Sequence, residues 1–103
     1  MNFEHSNGYK IIRAIGFDNG YGFVFGIDYE AVFTFSTWQY AEQGNKNVLY
    51  SGIFFTEENL DTAKLNFQYR VRDYIEVNPG IAEKYNYSIP TETSVEGVLD
   101  IYP

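Results

Sequence analysis

The sequence predicts an α+β fold: an antiparallel sheet of about four strands, connected as a meander, with one long α-helix packed on one face. Two observations predict it. Four segments rich in aromatic and β-branched residues precede position 56, and short turn-forming segments separate them, which is the pattern of strands joined by hairpins. The stretch Glu57–Val77 then carries apolar residues at helical spacing.

The strand boundaries are predicted from the period of two and from the turns. The predicted strands are Tyr9–Phe17, Tyr21–Ile27, Val32–Tyr40 and Val48–Phe55. Asp18-Asn19-Gly20 is a strong turn signal, because Asn and Gly tolerate the positive φ of a tight hairpin. Gly22 and Gly26 predict a bulge or a close approach of another group to the backbone.

The third predicted strand is the segment around which the others are expected to pack, since it holds Trp38, the only tryptophan. By the period of two, Phe33, Phe35 and Thr37 share one face, while Thr34, Ser36, Trp38 and Tyr40 share the other. Aromatic rings occur on both faces. Both faces of the sheet are therefore expected to be at least partly covered.

The helix is predicted to run from Glu57 to Val77. Thr56 has the hydroxyl of an N-cap residue, and Asn78-Pro79-Gly80 ends the helix, because the residue before proline resists the α conformation. Carboxylates in its first two turns suit the positive end of the helix dipole. The apolar stripe expected to face the sheet consists of Leu60, Ala63, Phe67, Val71, Tyr74 and Ile75.

The two ends of the chain carry weaker signals. Residues 1–103 are predicted to form a single domain, with residues 1–8 a frayed N-terminus and residues 86–103 an extended C-terminal segment. Ile81–Tyr85 is compatible with one further helical turn. Val95–Tyr102 is expected to be either an edge strand or a loose tail.

Composition and charge narrow the classes of function. There is no cysteine, no signal-peptide pattern and no apolar run of membrane-spanning length, so we expect a soluble cytoplasmic protein. The 14 acidic and 7 basic side chains give a net charge of −7. This balance disfavours direct binding to nucleic acid or to anionic membranes, and it is compatible with a basic protein partner.

No pattern for catalysis or for a cofactor is found. The only histidine, His5, lies in the predicted frayed end, and one histidine without cysteine makes a transition-metal site improbable. Glu57, Glu58 and Asp61 form the one tight acidic group, which a charged first helical turn explains. The glycines at 20–26 begin a strand and lack a following Lys-Ser/Thr, so they do not form a phosphate-binding loop. We therefore expect a non-enzymatic protein with no metal or cofactor.

The helix also carries the features expected of a contact surface. Leu65, Tyr69 and Arg72 fall opposite the apolar stripe, and Tyr and Arg are enriched in interface hot spots. Single exposed apolar residues are common on ordinary surfaces, which is the competing interpretation. Two ion pairs at helical spacing are predicted nearby, between Arg70 and Asp73 and between Arg72 and Glu76.

About half of the chain resembles a family of small uncharacterised proteins encoded on conjugative and phage-like elements of gut Firmicutes. The residues that carry the resemblance are Gly22-Phe23-Val24-Phe25-Gly26, Phe35-Ser36-Thr37-Trp38-Gln39, Tyr50-Ser51-Gly52-Ile53-Phe54-Phe55, Ala63, Phe67 and Arg70-Val71-Arg72-Asp73-Tyr74. The chain departs from the family where an Asn-Pro pair often follows the second glycine, since Asp28-Tyr29 stands there. The matched positions are predicted core positions, so the resemblance implies a shared fold and no catalytic residue.

The resemblance implies a mobile-element setting, in which small accessory proteins often block host restriction or CRISPR systems. Together with the negative charge, it leads to the hypothesis of a counter-defence inhibitor, of the anti-CRISPR or anti-restriction class. Such an inhibitor would occupy a basic surface on which a host protein handles nucleic acid. The predicted protein-binding residues are Glu58, Asp61, Leu65, Tyr69, Arg72, Glu76, Glu92, Glu96 and Asp100.

The alternative is an assembly or regulatory module of a mobile element, which would pair with itself as a homodimer, or with another protein, through a sheet edge. Charge clustered on one face would favour the inhibitor. An exposed apolar edge would favour assembly. A deep pocket with convergent polar groups would instead favour a small enzyme.

Overall fold

The computed structural model describes residues 3–89 and has an α+β fold, with one helical segment packed on a curled, mixed sheet. The strands are β1 (Phe3–Glu4), β2 (Lys10–Phe17), β3 (Tyr21–Ile27), β4 (Phe35–Gln43), β5 (Lys46–Phe55) and β6 (Glu83–Ser88). A short 3₁₀ turn at Glu57–Asn59 leads into α1 (Leu60–Val77). The strand order across the sheet is β1-β5-β4-β3-β2-β6.

The predicted meander is present but is only part of the sheet. Strands β2 to β5 pair antiparallel in chain order, as expected. The sheet has six strands rather than four, and it is mixed rather than purely antiparallel, because β1 pairs parallel with β5. One additional strand lies at each edge.

The N-terminal residues were expected to be frayed, and this prediction is wrong for Phe3 and Glu4. These two residues form β1, opposite Asn47 and Val48 of β5. The Phe3 ring contacts the Tyr40 ring edge-on, at 5.4 Å between centroids. Burial of one ring therefore anchors a strand too short to produce an alternating pattern in the sequence.

The segment after the helix was expected to form a helical turn and then a surface segment, whereas Glu83–Ser88 forms β6 and pairs antiparallel with β2. Arg13 of β2 is buried and donates from Nη1 to the side-chain oxygen of Asn86 and, over 3.1 Å, to the carbonyl oxygen of Tyr87. This buried cation thus stabilises the β2–β6 pairing. The sequence pattern does not reveal this strand, because its side chains are mostly polar, as is common at sheet edges.

The central strand begins three residues later than predicted, at Phe35. Asp28–Thr34 forms a closed connection, in which the backbone N–H of Asp28 donates to the carbonyl oxygen of Thr34 over 2.8 Å. The Asp28 carboxylate accepts from the N–H of Glu30 over 3.0 Å, which is an Asx turn. As a result, Val32 and Phe33 lie outside the strand and are exposed.

The helix packs on one face of the sheet through the predicted stripe. Ala63, Phe67 and Val71 are buried, and Leu60, Tyr74 and Ile75 pack against them at the margin. Their partners on the sheet are Ile12, Ile15, Phe17, Phe23, Phe25, Ile27 and Phe35. The helical segment spans residues 57–77 as predicted, although its first three residues are 3₁₀.

The expected N-cap bond is absent from the helix start. Thr56 precedes the 3₁₀ turn, but its hydroxyl makes no side-chain cap bond. Instead it accepts a hydrogen bond from the side-chain amide of Asn59 over 2.7 Å. The 3₁₀ turn is closed by a backbone hydrogen bond instead, in which the N–H of Asn59 donates to the Thr56 carbonyl oxygen over 3.0 Å.

The opposite face of the sheet holds a second core built on Trp38 and Tyr40, in agreement with the predicted face assignment. Glycines leave room for these two rings. A Cβ atom at Gly22 would lie 2.2 Å from the Tyr40 ring, and one at Gly52 would lie 2.4 Å from the Trp38 indole nitrogen. Gly22 was predicted to mark a close approach, and Tyr40 is the group that approaches it.

Candidate interaction surfaces

The six predicted contact residues of the helical segment form one continuous exposed stripe. They are Glu58, Asp61, Leu65, Tyr69, Arg72 and Glu76. Successive members are three or four positions apart, which places them one above another on a helix. All six are exposed, while Ala63, Phe67 and Val71 on the opposite side are buried. We call these six residues the outer stripe.

The outer stripe combines an apolar centre with charged ends. The Leu65 side chain is 51% exposed and the Tyr69 side chain is 67% exposed, and they are neighbours at i, i+4. No ion pair joins Glu58, Asp61 or Glu76 to any residue in the described part of the chain. An apolar centre with a polar rim is the usual anatomy of a protein interface.

The two ion pairs predicted for the helix do not form within residues 3–89. Arg72 makes no bond to Glu76, and its side chain is exposed. Arg70 points toward the sheet rather than toward Asp73. Its Nη1 donates to the carbonyl oxygen and the hydroxyl of Thr37, over 3.1 and 3.0 Å, and its Nη2 donates to the carbonyl oxygen of Ser51 over 2.8 Å.

The guanidinium of Arg70 lies at a β-bulge. Trp38 of β4 stands opposite two residues of β5, Ser51 and Gly52, because the register shifts between Thr37 and Gln39. Ser51 takes the left-handed conformation, with φ of 54°. A bulge leaves backbone carbonyl groups without ladder partners, and Arg70 supplies donors to them. Burial lowers the pKa of Arg70 from its usual value, although arginine keeps its charge at neutral pH.

A polar contact completes this arrangement between helix and sheet. The Thr37 hydroxyl donates to the side-chain oxygen of Asn66, one turn before Arg70, over 2.6 Å. The Arg70 guanidinium also lies 5.6 Å from the centre of the Phe23 ring. All of these contacts hold the helix against the sheet, and none of them presents a group for catalysis.

Three further predicted contact residues, Glu92, Glu96 and Asp100, lie outside the described residues. The alternatives of an edge strand or a loose tail for Val95–Tyr102 concern the same part of the chain. Among the residues that the structure describes, the inhibitor hypothesis therefore depends on the outer stripe.

A second surface, the outer edge of β5, was not predicted in detail. Within residues 3–89, β5 has a neighbour on this side only at Asn47 and Val48, where β1 pairs with it. From Leu49 to Phe55 the backbone groups on the outer side face no described strand. Ile53 and Phe54 are each 42% exposed there. The signal in the sequence is the absence of any charged residue from Asn47 to Thr56.

Exposed apolar side chains extend from this edge onto the neighbouring connection. The Phe54 ring contacts the Trp38 ring at 5.7 Å and the Phe33 ring at 6.5 Å between centroids. Phe33 is 49% exposed, and the adjacent Val32 is 82% exposed. The hydroxyl of Tyr9 donates to the carbonyl oxygen of Phe33, which fixes this connection to the sheet. We call Val32, Phe33, Tyr50, Ile53 and Phe54 the edge patch.

Neither a metal centre nor a membrane-spanning helix is found in the described part of the chain. No group of three or more His, Cys, Asp or Glu side chains is arranged to hold a metal ion between residue 3 and residue 89. Over the same residues, the helix is not long and apolar enough to cross a bilayer.

Comparison with known proteins identifies no relative: no family model, curated protein or solved structure matches the chain. The resemblance to mobile-element proteins therefore supports a proposal and does not assign the chain to a family.

Proposed function

We propose that this chain is a non-enzymatic binding protein that uses the outer stripe to occupy a basic surface of a nucleic-acid-handling protein. The observation that carries the proposal is the geometry of the stripe. Three carboxylates without partners among the described residues lie at Glu58, Asp61 and Glu76, and exposed Leu65 and Tyr69 lie between them. Carboxylates at this surface are available to pair with lysine or arginine side chains of a partner.

The apolar centre and the charges have different roles in this proposal. Tyr69 and Leu65 supply desolvated contact area, which is where most binding free energy arises. The carboxylates, together with the net charge of −7, accelerate encounter with a basic surface and select against acidic ones. Exclusion of nucleic acid follows, since both ligands would occupy the same cationic surface.

The biological setting comes from the family resemblance alone. A mobile element gains from blocking a host restriction or CRISPR protein, and an acidic inhibitor acts there without any catalytic group. A cytoplasmic location is part of the same proposal.

The test is competition with nucleic acid. A partner is first recovered from host extract on the immobilised chain, and its binding to DNA or RNA is then measured as this protein is added at two salt concentrations. Inhibition should be stronger at low salt, because charged contacts are screened over about 8 Å at physiological ionic strength. A ternary complex of partner, nucleic acid and this chain would contradict the proposal.

A matched pair of variants locates the surface. Glu58, Asp61 and Glu76 are changed to lysine together, and the control changes Glu4, Glu30 and Glu83, which are exposed on other elements. Both variants have the same net charge. Only the first should lose inhibition, and equal loss in both would assign the effect to overall charge rather than to the outer stripe.

The second candidate function is an assembly or regulatory module that pairs through a sheet edge. A specific observation favours it: the outer side of β5 from Leu49 to Phe55 faces no described strand, and Ile53 and Phe54 are exposed beside it.

A further inference from the structure

We propose that a second copy of this chain adds its β5 to the β5 edge at Gly52–Phe55, forming a weak two-fold dimer whose sheet continues across the contact. The proposal names the partner for the second candidate function, and it is independent of the outer stripe. The occupant is inferred from the backbone, the charge and the area of the edge.

The backbone of the edge is suited to an extended partner. Beyond the bulge, β5 pairs regularly with β4, with Ile53 opposite Thr37 and Phe54 opposite Ser36. The outer side of this regular segment therefore presents strand-spaced N–H and C=O groups, which an added strand satisfies directly. Two common protections of an edge are missing here, since the segment from Asn47 to Thr56 contains no charged residue and no proline.

The charge of the edge indicates which strand fits. A strand with charged side chains would lose hydration beside Ile53 and Phe54 without gaining a counter-charge. The chain as a whole repels its own copies, since its net charge is −7. Residues 47–55 of β5 are an exception, because they carry no charged side chain and can approach their counterparts without opposing carboxylates. The patch is thus self-complementary, as a two-fold contact requires.

The orientation of side chains is compatible with such a contact. Ile53 lies on the helix-bearing face, opposite Thr37, whereas Phe54 lies on the other face, against Trp38. Antiparallel addition therefore places apolar groups together on both faces of the extended sheet. Phe33 lies beside Phe54 and lengthens the contact on its face.

The area of the edge patch predicts a weak dimer. With about 200 Å² for each large side chain, multiplied by its exposed fraction, the patch offers roughly 500 Å² per copy. Stable interfaces bury about 800 Å² per partner. We therefore expect a concentration-dependent equilibrium in the micromolar range or weaker, rather than an obligate dimer.

The experiment is sedimentation of the full chain over a range of concentrations up to about 1 mM. The disruptive variant is Ile53→Lys and the control is Val77→Lys, which alters an equally apolar, exposed residue at the end of α1. Both carry the same net charge, and thermal unfolding verifies that both fold. Ile53→Lys should weaken association by about tenfold or more, and Val77→Lys should leave it unchanged.

Hydrogen exchange identifies the interface independently. Among residues 52–55, the amides that point to the outer edge and are not bonded to β4 should gain protection as the chain dimerises, and Ile53→Lys should abolish this gain. A chain that stays monomeric throughout the concentration range overturns the proposal. So does a dimer that persists in Ile53→Lys, or protection of these amides in the monomer, which would mean that another segment of the chain covers the edge.

The two proposals fail separately. Added salt should leave the uncharged edge contact intact or strengthen it, whereas it should weaken binding through the outer stripe. Tyr69→Ala should reduce partner binding without altering dimerisation.

Discussion

Arg70 of the helix donates a hydrogen bond of 2.8 Å to the carbonyl oxygen of Ser51, at the point where β5 bulges away from β4. The same guanidinium donates to Thr37 on β4. One side chain therefore connects the helix to both strands of the bulge. Because β5 carries Tyr50, Ile53 and Phe54 of the edge patch and α1 carries all but Glu58 of the outer stripe, Arg70 also sets the two candidate surfaces relative to each other.

Arg70→Ala should lower the free energy of unfolding by about 2–3 kcal/mol, because hydrogen bonds from a charged donor are lost and the bulge carbonyls lose their partner. Arg70→Lys should recover only part of this, since an ammonium lacks the planar fork that spans two acceptors. Urea unfolding measures both. The control Arg72→Ala, at an exposed position, should change stability by less than about 0.5 kcal/mol; similar losses in both variants would contradict the assigned role.

Trp38→Ala and Phe67→Ala should each cost about 3–5 kcal/mol, because both side chains are buried and truncation leaves a cavity. They test the two faces of the sheet separately, since Trp38 belongs to the second core and Phe67 to the helix-side core. Thermal unfolding is the measurement. Leu65→Ala, on the exposed side of the helix, is the control, and a wild-type midpoint for either core variant would refute its placement.

Gly22→Ala should destabilise the fold by about 3 kcal/mol or more through overpacking. The added Cβ would lie 2.2 Å from the Tyr40 ring and 2.4 Å from the Ile15 carbonyl oxygen, and the latter is backbone that cannot move aside. Gly44→Ala is the control: it has open space but a φ of +66°, so it should incur only the conformational cost of about 1–2 kcal/mol. Chemical denaturation should rank the two in this order, and the reverse order would disprove the steric argument.

Stability should fall at alkaline pH, partly through Tyr40. Burial, and then the nearby Glu42 and Tyr85, raise the pKa of Tyr40 above its usual value. The unfolded chain therefore releases this proton first, near pH 10, while the folded chain retains it. Since the folded state then binds more protons, the contribution of Tyr40 to stability is unchanged below about pH 10 and decreases above it.

Tyr40→Phe removes this proton and should reduce the alkaline slope of the unfolding free energy. Urea midpoints between pH 7 and pH 11 provide the measurement. Part of the slope should remain, because burial also raises the pKa of Tyr9, Tyr50 and Tyr85. Tyr69→Phe, at an exposed position, is the control. An unaltered slope in Tyr40→Phe would contradict the argument.

Local patterns in the sequence determined the helix, the meander of β2 to β5, and which side chains of these elements point into the core. The helical segment ends at Val77 as predicted, since Asn78-Pro79-Gly80 stops it. The placement of Ala63 and Phe67 in the core, and of the outer stripe on the exposed side, follows from a period of 3.6 residues. These features depend on residues a few positions apart, and a sequence pattern contains information about structure over that range.

Only the tertiary structure decided the edges of the sheet and the partners of Arg70. The pairing of β1 with β5 and of β6 with β2 joins residues more than 40 positions apart. β1 has only two residues, and in β6 the apolar alternation is limited to Tyr85 and Tyr87 among polar neighbours, so the local signal for either strand is weak. Asp73 lies within reach of Arg70 along the helix, but the two do not pair. Arg70 instead donates to the carbonyl oxygens at the bulge and lies near the Phe23 ring. Whether β5 is an inner or an outer strand also depends on the whole sheet, because exposure of an edge is set by how many strands add beside it and not by the residues of the strand itself.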